Sequence, residues 1–84
     1  MADATISILF FAAAADAFGS SRLDLAVSES ARVESVLEQL AIEFPRAGEL
    51  LGSVAVAVNE QYAPRSTLLR PGDVIAIIPP VSGG

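Results

Sequence analysis

The repeat of apolar positions changes along the chain, and each period names an element. Over residues 5–11, Ile6, Ile8 and Phe10 fall on one side and Ser7, Leu9 and Phe11 on the other, the two-residue repeat of a β-branched and aromatic strand. Residues 12–18 are alanine-rich and predict two helical turns, stopped at Gly19 by its tolerance of left-handed backbone. Residues 22–27 alternate Leu23, Leu25 and Val27 with Arg22, Asp24 and Ala26, a half-buried strand paired as a hairpin with the first. The period then lengthens. Val33, Val36, Leu37, Leu40, Ala41 and Phe44 form the apolar stripe of a helix over 33–44, with Ser30 as N-cap and Pro45 as stop. Glu34, Ser35, Glu38, Gln39 and Glu43 occupy its other, solvated face.

Gly48 and Gly52 mark turns. Residues 54–58 alternate valine with alanine, a strand with Val54, Val56 and Val58 inward. Asn59 and Glu60 make a tight turn into a short segment beginning at Tyr62 and broken by Pro64. Pro71-Gly72-Asp73 is a turn in which proline fixes φ and glycine accepts positive φ. Residues 74–78 are apolar throughout, which predicts a central strand buried on both faces, and Pro79-Pro80 ends it because neither proline donates to a ladder. The order is β-β-α-β-(β)-β, with the two most apolar strands, first and last, pairing at the centre. That is an α+β, β-grasp (ubiquitin-like) arrangement, a mixed sheet on one main helix. It predicts one domain over residues 1–80 and a flexible Gly-Gly tail over 81–84.

Composition narrows the function classes. At 84 residues and 52% hydrophobic the chain is too apolar for disorder. Its longest apolar run, residues 8–15, is well short of the ~17–25 residues that span a bilayer. Asp3 and the late first cation, Arg22, argue against a secretory signal. A net charge of -5 disfavours nucleic acid and anionic membranes, and points to a protein partner with a basic surface. The sequence holds no Cys, His or Lys. Without Cys the default compartment is the reducing cytoplasm. Without Cys and His the usual transition-metal ligands and the commonest neutral-pH general base are missing, so the chain is expected to bind no metal and to be no enzyme on its own.

The unusual chemistry lies at the end of the sequence. After Pro80 come Val81, Ser82, Gly83 and Gly84. The prolines favour an extended exit, and from Ile78 the remaining residues reach about 20 Å at about 3.3 Å each, enough to enter a partner's pocket. Glycines leave a terminal carboxylate sterically open. As an anion it is a poor electrophile, so it needs activation, most simply as an acyl-adenylate, before a nucleophile attacks it. It then carries sulfur as a thiocarboxylate or joins an amine. The lack of lysine and cysteine removes side chains of this molecule, or of a second copy, that would consume the activated end.

The segment Thr5-Ile6-Ser7-Ile8-Leu9-Phe10-Phe11-Ala12, the Ala57-Val58-Asn59 turn, Leu69-Arg70-Pro71-Gly72-Asp73-Val74 and the ending Pro79-Pro80-Val81-Ser82-Gly83-Gly84 together resemble the small, sulfur-carrier subunit of molybdopterin synthase. Thiamine sulfur carriers, similar in Val56-Ala57-Val58-Asn59 and Pro64-Arg65, are the alternative, and a ubiquitin-like protein modifier is a third reading. The first resemblance implies that an adenylating enzyme spends ATP on the Gly84 carboxylate and a sulfur donor protein converts it to a thiocarboxylate. The tail, with Val81, Ser82 and Gly83, then enters the large catalytic subunit, where sulfur passes to precursor Z (cyclic pyranopterin monophosphate). It implies a heterotetramer, and no cofactor held by this chain. It also implies docking through Phe11, Tyr62 and Ile78, an exposed apolar patch; the competing expectation has Phe11 and Ile78 packed beneath residues 12–18. Arg65 and Arg70 are read as solvated charge, with pairing to acids on the adenylating enzyme as the alternative.

Overall fold

The computed structural model describes residues 4–80. Strands β1 (Ala4–Phe10) and β2 (Arg22–Val27) form an antiparallel hairpin around a short helix α1 (Ala13–Phe18). The main helix α2 (Val33–Glu43) follows, then a 3-10 helix (Ala47–Ser53), strands β3 (Ala55–Val58) and β4 (Gln61–Tyr62), and finally β5 (Val74–Ile78). The five strands lie in the order β2-β1-β5-β3-β4. β1 and β5 are the parallel central pair, with Ile8 opposite Ile75 and Phe10 opposite Ile77, while the other pairings are antiparallel. This is the β-grasp arrangement, α+β with a mixed sheet.

The sheet buries one face. Ile6, Ile8 and Phe10 of β1, Leu25 and Val27 of β2, Val56 of β3, and Ile75 and Ile77 of β5 share a core with Val33, Val36, Leu37 and Leu40 of α2. Each such side chain contributes about 1.5–3 kcal/mol by leaving water. α1 is pinned to the same side by Phe18, whose ring stacks on Phe10 at 4.5 Å between centroids and meets Phe44 edge-on at 5.2 Å. Gly19, at φ 74, closes α1 by donating its N–H to the Ala15 carbonyl, as its place in the sequence predicts.

Several expectations need correction. The N-cap of α2 is Arg32, not Ser30: its N–H donates to Ser35 Oγ at 3.1 Å while the Ser35 N–H donates to the Arg32 carbonyl at 2.9 Å. The helix ends at Glu43 and Phe44 is its C-cap. Gly48 and Gly52 sit inside a 3-10 helix that buries Ala47 and Leu51, rather than marking turns. A Cβ on Gly48 would lie 2.8 Å from Ala41 Cα, so glycine there lets the 3-10 helix press against α2. The strand expected over 54–58 begins at Ala55, and that over 5–11 covers Ala4–Phe10, leaving Phe11 just past its end. β5 is buried on one face only: Ile75 and Ile77 point inward, while Val74 is exposed and Ala76 and Ile78 half-buried. Among the described residues no helix is long and apolar enough to cross a membrane.

Candidate functional site

Because side chains alternate along every strand, the registers define a second face. Leu9 of β1, Ala76 of β5, Ala57 of β3 and Tyr62 of β4 form one row across it, each directly opposite its neighbour. Ala55 and Ile78 form the next row, towards the end where the chain leaves β5. Ala57 is buried without belonging to the core cluster, sheltered on this second face by larger neighbours. The side of the face nearest β2 is polar: Arg22 Nε lies 3.4 Å from Asp24 Oδ1, Arg22 Nη2 donates to Ser7 Oγ at 3.1 Å, and Ser7 Oγ donates to Asp24 Oδ1 at 3.0 Å. The side over β5, β3 and β4 is apolar.

Phe11 stands at the edge of this apolar region beside the β5 exit. Its N–H donates to the Ile77 carbonyl at 3.2 Å and its carbonyl accepts from the Ala14 N–H at 2.9 Å. Between them Ala12 adopts φ 49, ψ -126, positive φ at the first central position of the turn, where glycine is the usual residue. Such backbone costs about 1–3 kcal/mol and persists only when its surroundings over-determine it. Both main-chain groups of Phe11 are thereby fixed, and the residue stays 47% exposed. Phe11 and Ile78 lie outside the core cluster, so they are not packed beneath α1 as the competing expectation had it.

Of the residues singled out in the sequence, Phe11 and Ile78 each follow the last register pair of β1 and β5, Phe10 opposite Ile77, at the β5 exit. Tyr62, 76% exposed, lies two strands away at the outer edge of the same sheet. Leu9, Val74 and Ala76, which join them into one surface, follow from the same strand parity. Val81, Ser82, Gly83 and Gly84 lie outside the described residues. Pro79 is buried and Pro80 exposed at the point of exit.

Two turns fix the start of β5. Asn59 and Glu60, at φ 51 and 73, form the two-residue turn between β3 and β4. The Asn59 side chain reaches across to the start of β5: its Nδ2 donates to Asp73 Oδ1 at 3.0 Å and its Oδ1 accepts from the Val74 N–H at 3.0 Å. Asp73 in turn accepts from the Arg70 N–H at 2.8 Å, closing the turn around Gly72. Arg65 is more than solvated charge, because its Nη2 donates to the Leu51 carbonyl at 3.2 Å and the Val54 carbonyl at 3.4 Å, tying the segment after β4 to the end of the 3-10 helix. Among the described residues no three carboxylates converge on a point where they could hold a cation. The arrangement leaves an exposed apolar surface on the face of the sheet away from the helices.

Comparison with known proteins agrees with this geometry. A model of the ThiS family matches residues 8–84. A molybdopterin synthase sulfur carrier subunit from Arabidopsis thaliana is 35% identical over 79 residues, covering 94% of this chain and 82% of the relative. The crystal structure of SAMP1 from Haloferax volcanii superposes with a TM-score of 0.82 at 30% identity, over 95% of this chain and 99% of that one. A protein–protein complex of subunits 1 and 2 of molybdopterin-converting factor from Helicobacter pylori contains a chain matching with a TM-score of 0.67 at 25% identity, over 95% and 99% of the two chains.

Proposed function

The chain belongs to the ThiS family, and from that premise we propose that it is the sulfur-carrier subunit of a molybdopterin synthase. The observation that carries the reading is one apolar sheet face, with Phe11 and Tyr62 exposed and Ile78 half-buried where the chain leaves β5 towards Gly83-Gly84. In this reading an activating enzyme transfers AMP from ATP to the Gly84 carboxylate, releasing pyrophosphate. Hydrosulfide delivered by a donor protein then attacks the acyl carbon, displaces AMP and leaves a thiocarboxylate. The compact body performs no catalysis. It docks through Phe11, Ile78 and Tyr62, and directs Val81, Ser82, Gly83 and Gly84 into a large catalytic subunit, where sulfur passes to precursor Z. The likeness to a chain from a two-subunit complex supports a protein partner of this kind. A cytoplasmic heterotetramer accords with the reading.

Deleting Gly84 tests it. The shortened chain is expected to keep its melting temperature and to lose ATP–pyrophosphate exchange with the activating enzyme, while the full chain gains 16 Da as oxygen is replaced by sulfur. Undiminished exchange from the shortened chain refutes the reading. The likeness to SAMP1, a small archaeal modifier protein, favours a second reading as a protein modifier. Isopeptide-linked conjugates of Gly84 in a cell lysate, found by mass spectrometry without the thiocarboxylate, decide for that one.

A further inference from the structure

The apolar face is hollowed rather than flat. Leu9, Phe11, Val74, Ala76, Asn59 and Glu60 line a groove of about 370 Å³. Ala76 forms its floor, with Leu9 opposite on β1 and Ala57 opposite on β3, so short side chains lie between large ones. Phe11 and Val74, exposed by 47% and 37%, form its walls. The polar groups nearby are already engaged: Arg22, Asp24 and Ser7 bond to one another, and the Asn59 amide is used by Asp73 and Val74. Glu60 is the one charged residue of the lining. Among the described residues the only ion pair is Arg22–Asp24, so Glu60 has no cation opposite it.

We propose that this groove is the socket for one bulky apolar side chain, of leucine to phenylalanine size, carried by the large subunit, and that a lysine or arginine beside that side chain reaches Glu60. The inference rests on the docking reading above and adds the shape and charge of what docks. Water in the hollow gains little from its apolar walls, so a side chain that fills it recovers the free energy of their burial. Large anchors seated in a central pocket dominate interface energies. A chain of net charge -5 with an unpaired carboxylate at the rim selects a cation on its partner. A second copy fits less well, since it brings the same negative charge and its nearest cation on this face, Arg22, is held by Asp24 and Ser7.

The test is calorimetric titration of the full chain with the large subunit of the same organism, alongside thermal melts of every variant. Ala76→Phe, which fills the groove from below, is expected to weaken binding by at least about a hundredfold, with Ala76→Leu as the milder filler. Glu60→Arg is expected to cost about tenfold, and more at low ionic strength. Native affinity in folded Ala76→Phe and Ala76→Leu chains, with Phe11→Asp still defective, overturns the socket alone. A native chain that never binds the large subunit takes down the docking reading and the socket with it. A concentration-dependent dimer of the native chain that Ala76→Phe disperses assigns the groove to a second copy and also overturns the proposal.

Discussion

Truncating Phe11 separates a docking residue from a folding residue, and both effects can be sized from its exposure. Phenylalanine presents about 200 Å² of surface in an unfolded chain. At 47% exposure, about 95 Å² remains open to water in the folded chain and about 105 Å² is already covered. If a partner buries the open half, Phe11→Ala forfeits about 2.4 kcal/mol of binding at about 25 cal/mol per Å², close to a fiftyfold loss of affinity. The covered half contributes to folding alone, and its loss costs at most about 2.6 kcal/mol by the same coefficient. Phe11 lies outside the core cluster, so no enclosed cavity adds to that figure. Phe11→Asp goes further, because docking then buries an unpaired carboxylate, and binding is expected to fall below detection. Titration calorimetry against the large subunit reads the first effect and a circular dichroism melt reads the second. A folded Phe11→Ala chain that binds within twofold of the native one refutes the argument, since the ring would then touch nothing in the complex.

Two further expectations concern the scaffold. Asn59→Ala removes two side-chain hydrogen bonds at 3.0 Å and leaves alanine at φ 51, a loss of about 3 kcal/mol at about 1 kcal/mol for each bond and for the backbone. Asn59→Gly escapes the backbone part, and equal urea midpoints for the two variants would refute that share of the account. Gly48→Ala forces a methyl group against Ala41 and is expected to destabilise by about 1–3 kcal/mol, while Gly52→Ala, with nothing within 4 Å of the new carbon, is neutral or slightly stabilising. Thermal melts compare them, and a Gly48→Ala chain as stable as Gly52→Ala would show that the 3-10 helix does not press on α2.

The features legible in the sequence are those written in local chemistry. The α2 stripe is read directly from spacing, and Val33, Val36, Leu37 and Leu40 are the side chains it buries. Gly19, Asn59 and Pro71-Gly72-Asp73 announce turns because their residue types suit turn backbone, and Glu60 follows Asn59 into positive φ. The features that escaped depend on neighbours distant in the chain. Ser30 is a better N-cap by type than Arg32, but the isolated bridge from Arg32 to Leu68 draws the chain into line, so that Arg32 caps a helix that begins at Val33 as the spacing predicts. Gly48 reads as a turn, whereas its use is close approach to Ala41 across a helix junction. The five apolar residues of β5 predicted burial on both faces, yet α1, α2 and the 3-10 helix all lie on one. Hydropathy alone does not distinguish a side chain covered by its own chain from one left for another molecule. For the site, parity placed Phe11 opposite Ile6, Ile8 and Phe10, while the hollow over Ala76 needed three strands in register to appear. Arg65 looked like surface charge because its acceptors, the Leu51 and Val54 carbonyls, carry no signal in side-chain type.

The bond network from Asn59 to Asp73 and Val74 also acts as a ruler. By tying a hairpin on one side of the sheet to the first residue of the last strand, it forbids that strand from sliding along its neighbours, where a single step would exchange Ile75 and Ile77 for Ala76 and Ile78 in the interior. The place where Pro79 and Pro80 leave the sheet beside Phe11 is then counted from a fixed mark, and one residue added or removed within β5 would move it by about 3.4 Å with no slack in the sheet to absorb the change.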